Sequence, residues 1–392
     1  MKNIHLLTTY RYDEAVIKNR LGVLANVASQ NGFKVHWCCS GPDELDDKDS
    51  LNAALEGVTF LVSPRIKKEA SFSIRAIQEL LLSIQLVSYS RTVNQRDLLL
   101  LSVPSAMSLF MFPMLAFRHR VILDVRDLSW IYFKANRKLF IRFFGHLLEF
   151  FALRAVRRAM VTLVTNAKEA ELIEEMSPDS SVQVMSNGIS MLQYEKLVSL
   201  ASVMPKSKTT IVYIGNVGAA QNLTTFLKCA VELQSMDFII VGEGREFTSL
   251  KRRFDFNQNV VFAGKLPWDR LQHYYQRASI LYLQISEEYT SAIPSKFYEY
   301  ISAGRRIVLA ASGISVLFSG QFAGVHCVSP GDVIAQRKLL EQLEKMPHLT
   351  AAEIEKNRAI IRKDFIRETS CKSALGLVHK MMLKNNAGYD DV

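Results

Sequence analysis

Two successive series of short apolar stretches, each separated from the next by a segment of helical periodicity, constrain this chain more than any other feature. The first series falls near Ile4–Thr8, Phe33–Cys39, Val58–Val62, Leu98–Val103, Val121–Val125 and Val161–Thr165. The second falls near Thr210–Gly215, Phe238–Val241, Val260–Ala263, Ile280–Leu283, Ile307–Ala310 and Val325–Val328. Apolar runs of this length between helices read as buried strands of a parallel, doubly wound sheet, because parallel neighbours need a crossover long enough to hold a helix. Ala15 to Gln30 is one such helix, ended by Gly32. The turn signal Asn187-Gly188 and the mixed stretch Ile189–Lys208, with Pro205 and lysines near its end, separate the two series. A chain of 392 residues is too long for one ordinary core and comfortable for two. The expected layout is an N-terminal domain over 1–190, a second over 191–369, and a C-terminal helix over 370–392 that returns to the first domain and ends in a frayed tail, NNAGYDDV. Two α/β halves of similar size imply a ligand-binding cleft between them.

One segment allows a different reading. Leu98–Phe117 is twenty residues without a charge, long enough to cross a bilayer. Pro104-Ser105 divides it, however, and leaves LLLLSV as a buried strand, Ser105 as a helix cap and the rest as a helix before the next strand, VILDV. The N-terminal MKNIHLLTTY has too short an apolar run for a signal peptide and reads as a first strand. The five cysteines are scattered and form no C-x-x-C pair, which argues against a zinc site or disulfide scaffold and suits a reducing cytoplasm. A net charge of +10 admits nucleic acid, anionic lipid or anionic substrates without choosing among them.

The stretch IPSKFYEYISAGRRIVLA, from Ile293 to Ala310, carries the most chemistry. Lys296 and Glu299 share one helix face at a spacing of three, behind Pro294 and a plausible N-cap, Ser295. Free N–H groups and a lysine suit phosphate, and a glutamate suits sugar hydroxyls, so together they suggest a nucleotide. The plainer reading is a surface ion pair. VYIGNVGAAQNLTTFL, VGEGREF and FAGKLPWDRL are three further strand-to-loop passages with glycines at strand C-termini, where open α/β sheets bind ligands. The third glycine of a dinucleotide fingerprint is missing from VGEGREF. VILDVRDLSW ends a strand with Asp124, Arg126 and Asp127. Asp127 is either a base or hydroxyl-orienting group, or part of an Asp–Arg pair and a helix cap. A basic amphipathic helix is expected over 130–158: along Trp130–Met160, Phe140, Phe143, Phe144, Leu147, Leu148 and Phe151 form an apolar stripe. Glu149 is the only acid between Lys134 and Arg158 in that basic stretch. The stripe either packs in the core with its basic residues snorkelling to water or lies on an anionic membrane. There is no recognisable Ser/His/Asp set, H-E-x-x-H or P-loop.

With these pieces in order, the chain resembles the family-4 retaining glycosyltransferases, and within them the branch that builds bacterial O-antigen and capsule, including transferases of N-acetyl-L-fucosamine type. IPSKFYEYISAGRRIVLA is similar to that branch's PSK-x-x-E-x-x-x-x-G-x-P-V-L-A. IGNVGAAQNL, IIVGEGRE, VVFAGKLPWDRL, MSNGI, LSVPS, DVRDLSW and the arginine Arg20 follow in the family's order. The resemblance implies the GT-B fold, an α/β architecture of two Rossmann-like parallel-sheet domains facing each other across a cleft. It implies metal-independent transfer of a sugar from a nucleotide diphosphate, UDP by expectation, to a polyprenyl-diphosphate-linked or other saccharide acceptor. No cofactor, metal or nucleic acid is implied. The protein would be cytoplasmic and peripheral on the inner face of the cell membrane. In this reading Glu299 holds the donor ribose, and Ser295 and Lys296 hold the diphosphate. Gly215 and Asn216 line that pocket, Gly264, Lys265 and Leu266 border the base, and Asp127 stands at the acceptor-side catalytic position. The pattern departs from the family's at Ser291, where the wider family has a glutamate, at Asn216 and Gln221, where it has arginine and lysine, and at Ala219 and Arg306. The diphosphate charge then falls to Lys296, with Lys265 and Arg305 behind it. Two other functions share this fold expectation: a catalytically silent subunit, and a nucleotide-sugar epimerase, which would leave the basic aromatic stretch unexplained.

Overall fold

Every named strand among the described residues lies in one of two parallel sheets. The computed structural model describes residues 2–11, 18–40, 58–61, 72–103, 107–200 and 208–387. Pro104-Ser105, Pro205, the start of the expected helix at Ala15 and the last five residues of the tail lie outside them. The chain divides into two units, residues 1–187 with 367–392, and residues 188–366.

The first unit runs β1 (Lys2–Arg11), a π-helical turn (Lys18–Gly22) continuing into α1 (Val23–Gln30), β2 (Phe33–Ser40), β3 (Val58–Leu61), α2 (Phe72–Ser90), β4 (Leu98–Val103), α3 (Ser108–Ala116), β5 (Arg120–Val125), α4 (Ser129–Lys134), α5 (Leu139–Arg158), β6 (Val161–Val164), α6 (Ala167–Met176) and β7 (Val182–Val184). Its strand order is β3-β2-β1-β4-β5-β6-β7. The second unit runs α7 (Met191–Leu200), β8 (Thr210–Ile214), α8 (Thr224–Glu232), β9 (Asp237–Val241), α9 (Phe247–Phe254), β10 (Val260–Gly264), α10 (Trp268–Arg277), β11 (Ile280–Gln284), α11 (Lys296–Ser302), β12 (Arg306–Ala310), α12 (Ile314–Ser319), β13 (Val325–Val328), α13 (Val333–Glu344) and α14 (Ala351–Asp364), in the order β10-β9-β8-β11-β12-β13. The chain then returns to the first unit as α15 (Arg367–Ala387), beginning at Arg367 rather than at residue 370. Cys371, Ala374, Leu375 and Val378 of α15 share a core with Leu24 of α1 and Ile4 of β1.

β4 shows why Leu98–Phe117 carries no charge. All six of its residues are buried. Leu98 and Leu100 enter the core on one sheet face, and Leu99, Leu101 and Val103 enter the core on the other. A central parallel strand is covered on both faces, so, except for Ser102, which is hydrogen-bonded to Asp124, both sets of alternating side chains are apolar. Each such side chain contributes about 1.5–3 kcal/mol on burial. α3 is a separate helix packed on that sheet through Leu109, Phe112 and Leu115. No helix of the described residues is long and apolar enough to cross a membrane.

The expected single helix over 130–158 is two helices. Ala135–Lys138 interrupt it, with the Lys138 N–H donating to Asn136 Oδ1 at 3.0 Å. The break lets α4 fold back against α5 at Gly145, where a Cβ would stand 2.6 Å from the backbone nitrogen of Lys134. The apolar stripe begins only at Phe140, beyond the run KANRK in which the break falls.

Candidate functional site

In the second unit, three loops leave the C-terminal ends of the adjacent strands β8, β9 and β10, and their backbones are joined. Gly215 N–H donates to Val241 O, Val217 N–H to Glu243 O, and Gly242 N–H to Gly264 O, each at 2.9 Å. Gly242 has φ 150° and a Cβ there would lie 1.8 Å from Gly215 O, so this approach requires glycine. Gly215 and Asn216 are thereby brought to the same sheet edge as Gly264, Lys265 and Leu266. Lys265 is exposed, and Leu266 packs against the unit's core. Asn216 Nδ2 donates to Gln221 Oε1 at 3.0 Å. The two positions where the resembling family has cations therefore hold a neutral, mutually bonded amide pair.

α11 follows β11, the neighbour of β8, so its first turn stands at the same edge. Ser295 precedes it with helical backbone angles, φ −60° and ψ −29°, and its side chain makes no cap. A capping hydroxyl needs an extended backbone to reach back to the helix N–H groups, which Ser295 lacks. Lys296 Nζ lies 2.7 Å from Glu299 Oε2, and the Tyr275 hydroxyl donates to that same oxygen at 2.7 Å. Oε1 receives neither bond. The pair is not a surface pair: the Glu299 side chain is 5% exposed and that of Lys296 24%. Burial, and then the carboxylate beside it, push the Tyr275 phenol well above its ordinary range, so it stays a donor. The Tyr300 hydroxyl accepts from Ile214 N–H at 2.8 Å and thereby fastens α11 to the last residue of β8. Tyr275 carries no motif and stands 24 residues from Glu299; its inward position on α10 is the only sequence signal for it. Arg305 lies elsewhere. It precedes β12, at the N-terminal edge of the sheet, where it is buried and its Nε donates to the Tyr275 carbonyl at 3.4 Å. It does not stand with the loops that would meet a diphosphate.

In the first unit, Asp127 follows the C-terminal end of β5. Burial raises its pKa above the ordinary carboxylate value, against the nearby Arg126 and hydrogen bonds from the hydroxyl and N–H of Ser129 at the start of α4. Asp127 thus bonds Ser129 from the position before the N-cap, which is Leu128 and makes no side-chain cap, so Asp127 is not the helix cap of the plainer reading. The Asp–Arg pair on this strand is formed with a distant arginine. Arg20 donates from Nε (2.9 Å) and Nη2 (2.7 Å) to Asp124 Oδ1, while Ser102 donates to Oδ2 at 2.8 Å. Burial opposes the Asp124 charge, yet Arg20 and Arg126 bring its pKa net below the usual value. Glu169, in the first turn of α6, accepts from the N–H (2.9 Å) and hydroxyl (2.6 Å) of Thr165. Burial pushes it up to about 7, Thr165 opposes that rise, and the charge of Asp127 adds to it. Sequence reasoning missed Glu169. Its signal was the pattern Thr165-Asn166 followed by a glutamate, a helix-start motif.

α5 presents two apolar faces. Phe144, Leu148, Phe151 and Ala152 pack toward the sheet, while Phe140 (82% exposed), Phe143, Leu147 and Phe150 face solvent. The core reading therefore holds for one face of the helix, and the other face is exposed. Arg137, Lys138, Arg142 and Arg154 are exposed around the outer face, and Glu149 is paired with Lys134 at 2.6 Å.

Residues 201–362 match the family model described as glycosyl transferases group 1. No curated protein sequence matches the chain. Among solved structures the chain is similar to the sucrose-phosphate synthase from Thermosynechococcus elongatus (13% identity, 98% of this chain and 100% of that one, TM-score 0.73). It is also similar to the Anabaena protein HepE in complex with UDP-glucose (12%, 97% and 100%, TM-score 0.68). A third is WaaG, a glycosyltransferase involved in lipopolysaccharide biosynthesis (11%, 94% and 98%, TM-score 0.64). At these identities the likeness establishes the fold. It is GT-B, with two α/β units each built on a parallel sheet, and the stretch that matches the glycosyl transferases group 1 model lies in the second unit.

Proposed function

We propose that the protein is a retaining glycosyltransferase that moves a sugar from a UDP-linked donor to a lipid-linked oligosaccharide at an anionic membrane, in the making of a bacterial surface polysaccharide. The observation that carries the donor half is Glu299: a buried carboxylate at the sheet edge, with lysine and tyrosine both on Oε2 and Oε1 left for a ligand. Oε1 accepts from the ribose hydroxyls. Lys296 gives its charge to the diphosphate as the bond from the sugar carbon to the phosphate oxygen breaks, which is where negative charge grows. The acceptor oxygen bonds that carbon from the same face, and its proton passes to the departing phosphate oxygen. No metal takes part. Asp127 serves the acceptor as an orienting group. A structural neighbour in complex with UDP-glucose supports the choice of UDP. A neighbour involved in lipopolysaccharide biosynthesis and the exposed aromatic, basic face of α5 support the lipid-linked acceptor.

The Asn216–Gln221 pair favours a second reading, a silent subunit that retains the fold and a nucleotide grip but does not turn over. Calorimetry with UDP- and GDP-sugars, followed by a donor hydrolysis assay, separates the two. Glu299→Ala is expected to weaken UDP-sugar binding by roughly ten- to a hundredfold, since a hydrogen bond to a charged group contributes about 1.5–3 kcal/mol, with the fold intact. Unchanged affinity in a normally melting variant removes the donor assignment. Binding without hydrolysis or transfer establishes the silent subunit.

A further inference from the structure

Eleven of the nineteen exposed large hydrophobic side chains of the described residues lie on α2, on α3 with its C-cap, and on α5. These three helices share one core. Leu82 and Leu86 of α2, Leu109 and Phe112 of α3, and Leu148 and Ala152 of α5 enter the same cluster against the sheet. The helices are joined side by side. Ser83 Oγ lies 3.3 Å from Ser108 Oγ, and the ring of Phe110 stands 4.7 Å from that of Phe151. With their inner faces turned to one sheet face, their outer faces look the same way. On α2 the outer face is a line of Ile74, Ile77, Leu81 and Ile84 at spacings of three and four, about 15 Å long at 1.5 Å per residue. Met114 and Phe117, the latter 86% exposed, continue the surface on α3. An apolar surface spread over three neighbouring helices is larger than scattered surface hydrophobics explain.

We infer that this whole helix layer, and not α5 alone, seats on an anionic bilayer surface, with the α2 stripe as the apolar, charge-independent part of the contact. The inference rests on the membrane reading proposed above and extends it to α2 and α3. Charge decides the occupant. Arg118 is exposed beside Phe117, and Arg137, Lys138, Arg142 and Arg154 are exposed around α5. A second copy of the same face would bring those cations together, whereas anionic headgroups neutralise them. The work divides accordingly: the basic flank of α5 gives a salt-sensitive attraction, and the side chains of α2 and α3 enter the headgroup boundary, where salt does not screen them.

The test is vesicle co-sedimentation of the full chain with phosphatidylcholine vesicles, with and without phosphatidylglycerol, across a salt series. The variant Ile77→Ser/Leu81→Ser/Ile84→Ser changes only exposed positions. It is expected to bind anionic vesicles at least about tenfold more weakly, each apolar side chain withdrawn from the interface costing of the order of 1 kcal/mol. The binding that survives high salt is lost, while melting temperature and UDP-sugar affinity stay at wild-type values. Wild-type vesicle affinity and wild-type salt resistance in this variant overturn the inference. So does a lipid-free wild-type dimer that the variant converts to monomer, which assigns the face to a second copy. Charge reversal on α5 keeps the two proposals apart. Release by that reversal, with no effect of the α2 variant, sinks only this inference; no effect of either sinks the membrane reading as well.

Discussion

α5 in the first unit and α10 in the second do the same structural work, joining consecutive parallel strands and covering a sheet, yet they spend their free faces differently. α10 buries Leu271 and Tyr275 and turns Asp269, Arg270, His273 and Arg277 to solvent. α5 buries Leu148, Ala152 and Ala155 and turns Phe140, Phe143, Leu147 and Phe150 outward. The fold requires only the inner stripe, since that is the surface removed from water against the sheet. The outer face is open to other demands. On α10 the chemically informative side chain, Tyr275, points inward to a carboxylate; on α5 the informative side chains point out.

The contrast is open to test by substitution. The largest effect is expected inside the second unit. Lys296→Ala should lower turnover by roughly 10²–10³-fold, the usual cost of a lost transition-state charge contact, and reduce donor affinity much less. Lys265→Ala, on the exposed side of the same edge, should do less. Equal losses from the two variants would move the diphosphate role off α11. Next is the outer face of α5. Arg137→Glu/Lys138→Glu/Arg142→Glu removes three cations worth about 1 kcal/mol each near an anionic surface, so vesicle affinity should fall about a hundredfold or more while calorimetric UDP-sugar binding is unchanged. A loss of donor binding instead would mean that the outer face is not separate from the donor grip. Tyr275→Phe is expected to be milder. It takes one of two donors from Glu299 Oε2, so UDP-sugar affinity should drop roughly tenfold, with vesicle binding intact and donor affinity restored by no change on α5. An unaltered donor affinity would reduce Tyr275 to packing.

The smallest effect should appear in stability alone, at the buried carboxyl of the first unit. Glu169 titrates at about 7 when folded, against 4.5 as its ordinary value. A raised acid contributes stability that is fully present below pH 4.5 and is lost as pH rises through 7. Glu169→Gln keeps the acceptor for Thr165 and removes the titration. The variant's melting temperature should therefore fall less than wild type's between pH 5 and 8, by roughly a few degrees. His5, buried against His36 and beside Asp97, runs the other way. Burial and then His36 lower its pKa, so its contribution is lost as pH falls below 6.5 in both proteins and cancels in the comparison. Parallel profiles for wild type and variant would show that Glu169 stays ionised in the fold.

The strand series was legible because most strands carry a short apolar run bounded by turn signals, and β4, with four leucines and a valine among its six residues, is the clearest case. β7 was not: Val182–Val184 is three half-buried residues with a glutamine in the middle, too short and too polar for any periodicity to register. The nearness of Lys296 to Glu299 was legible because the two lie one helical turn apart. Ser295 was misjudged, since residue type favours a cap but the backbone angle decides it. The ion pair of Asp124 was not legible, because its partner, Arg20, stands 104 residues away.

What the sequence by itself determined is local and periodic: where the apolar strands lie, which residues share a helix face, and where glycines end the strands of the second unit. These follow from repeats of two and of about 3.6 residues, which bring nearby residues to one face whatever the rest of the chain does. Only the tertiary structure decided which of the two apolar faces of α5 meets the sheet, that the basic aromatic stretch breaks at Ala135–Lys138 so that α4 meets Gly145, and that Tyr275 reaches Glu299. Each of these is a contact between elements, set by how sheet and helices exclude the same volume and water together, and no local periodicity encodes which distant surface fills a given space.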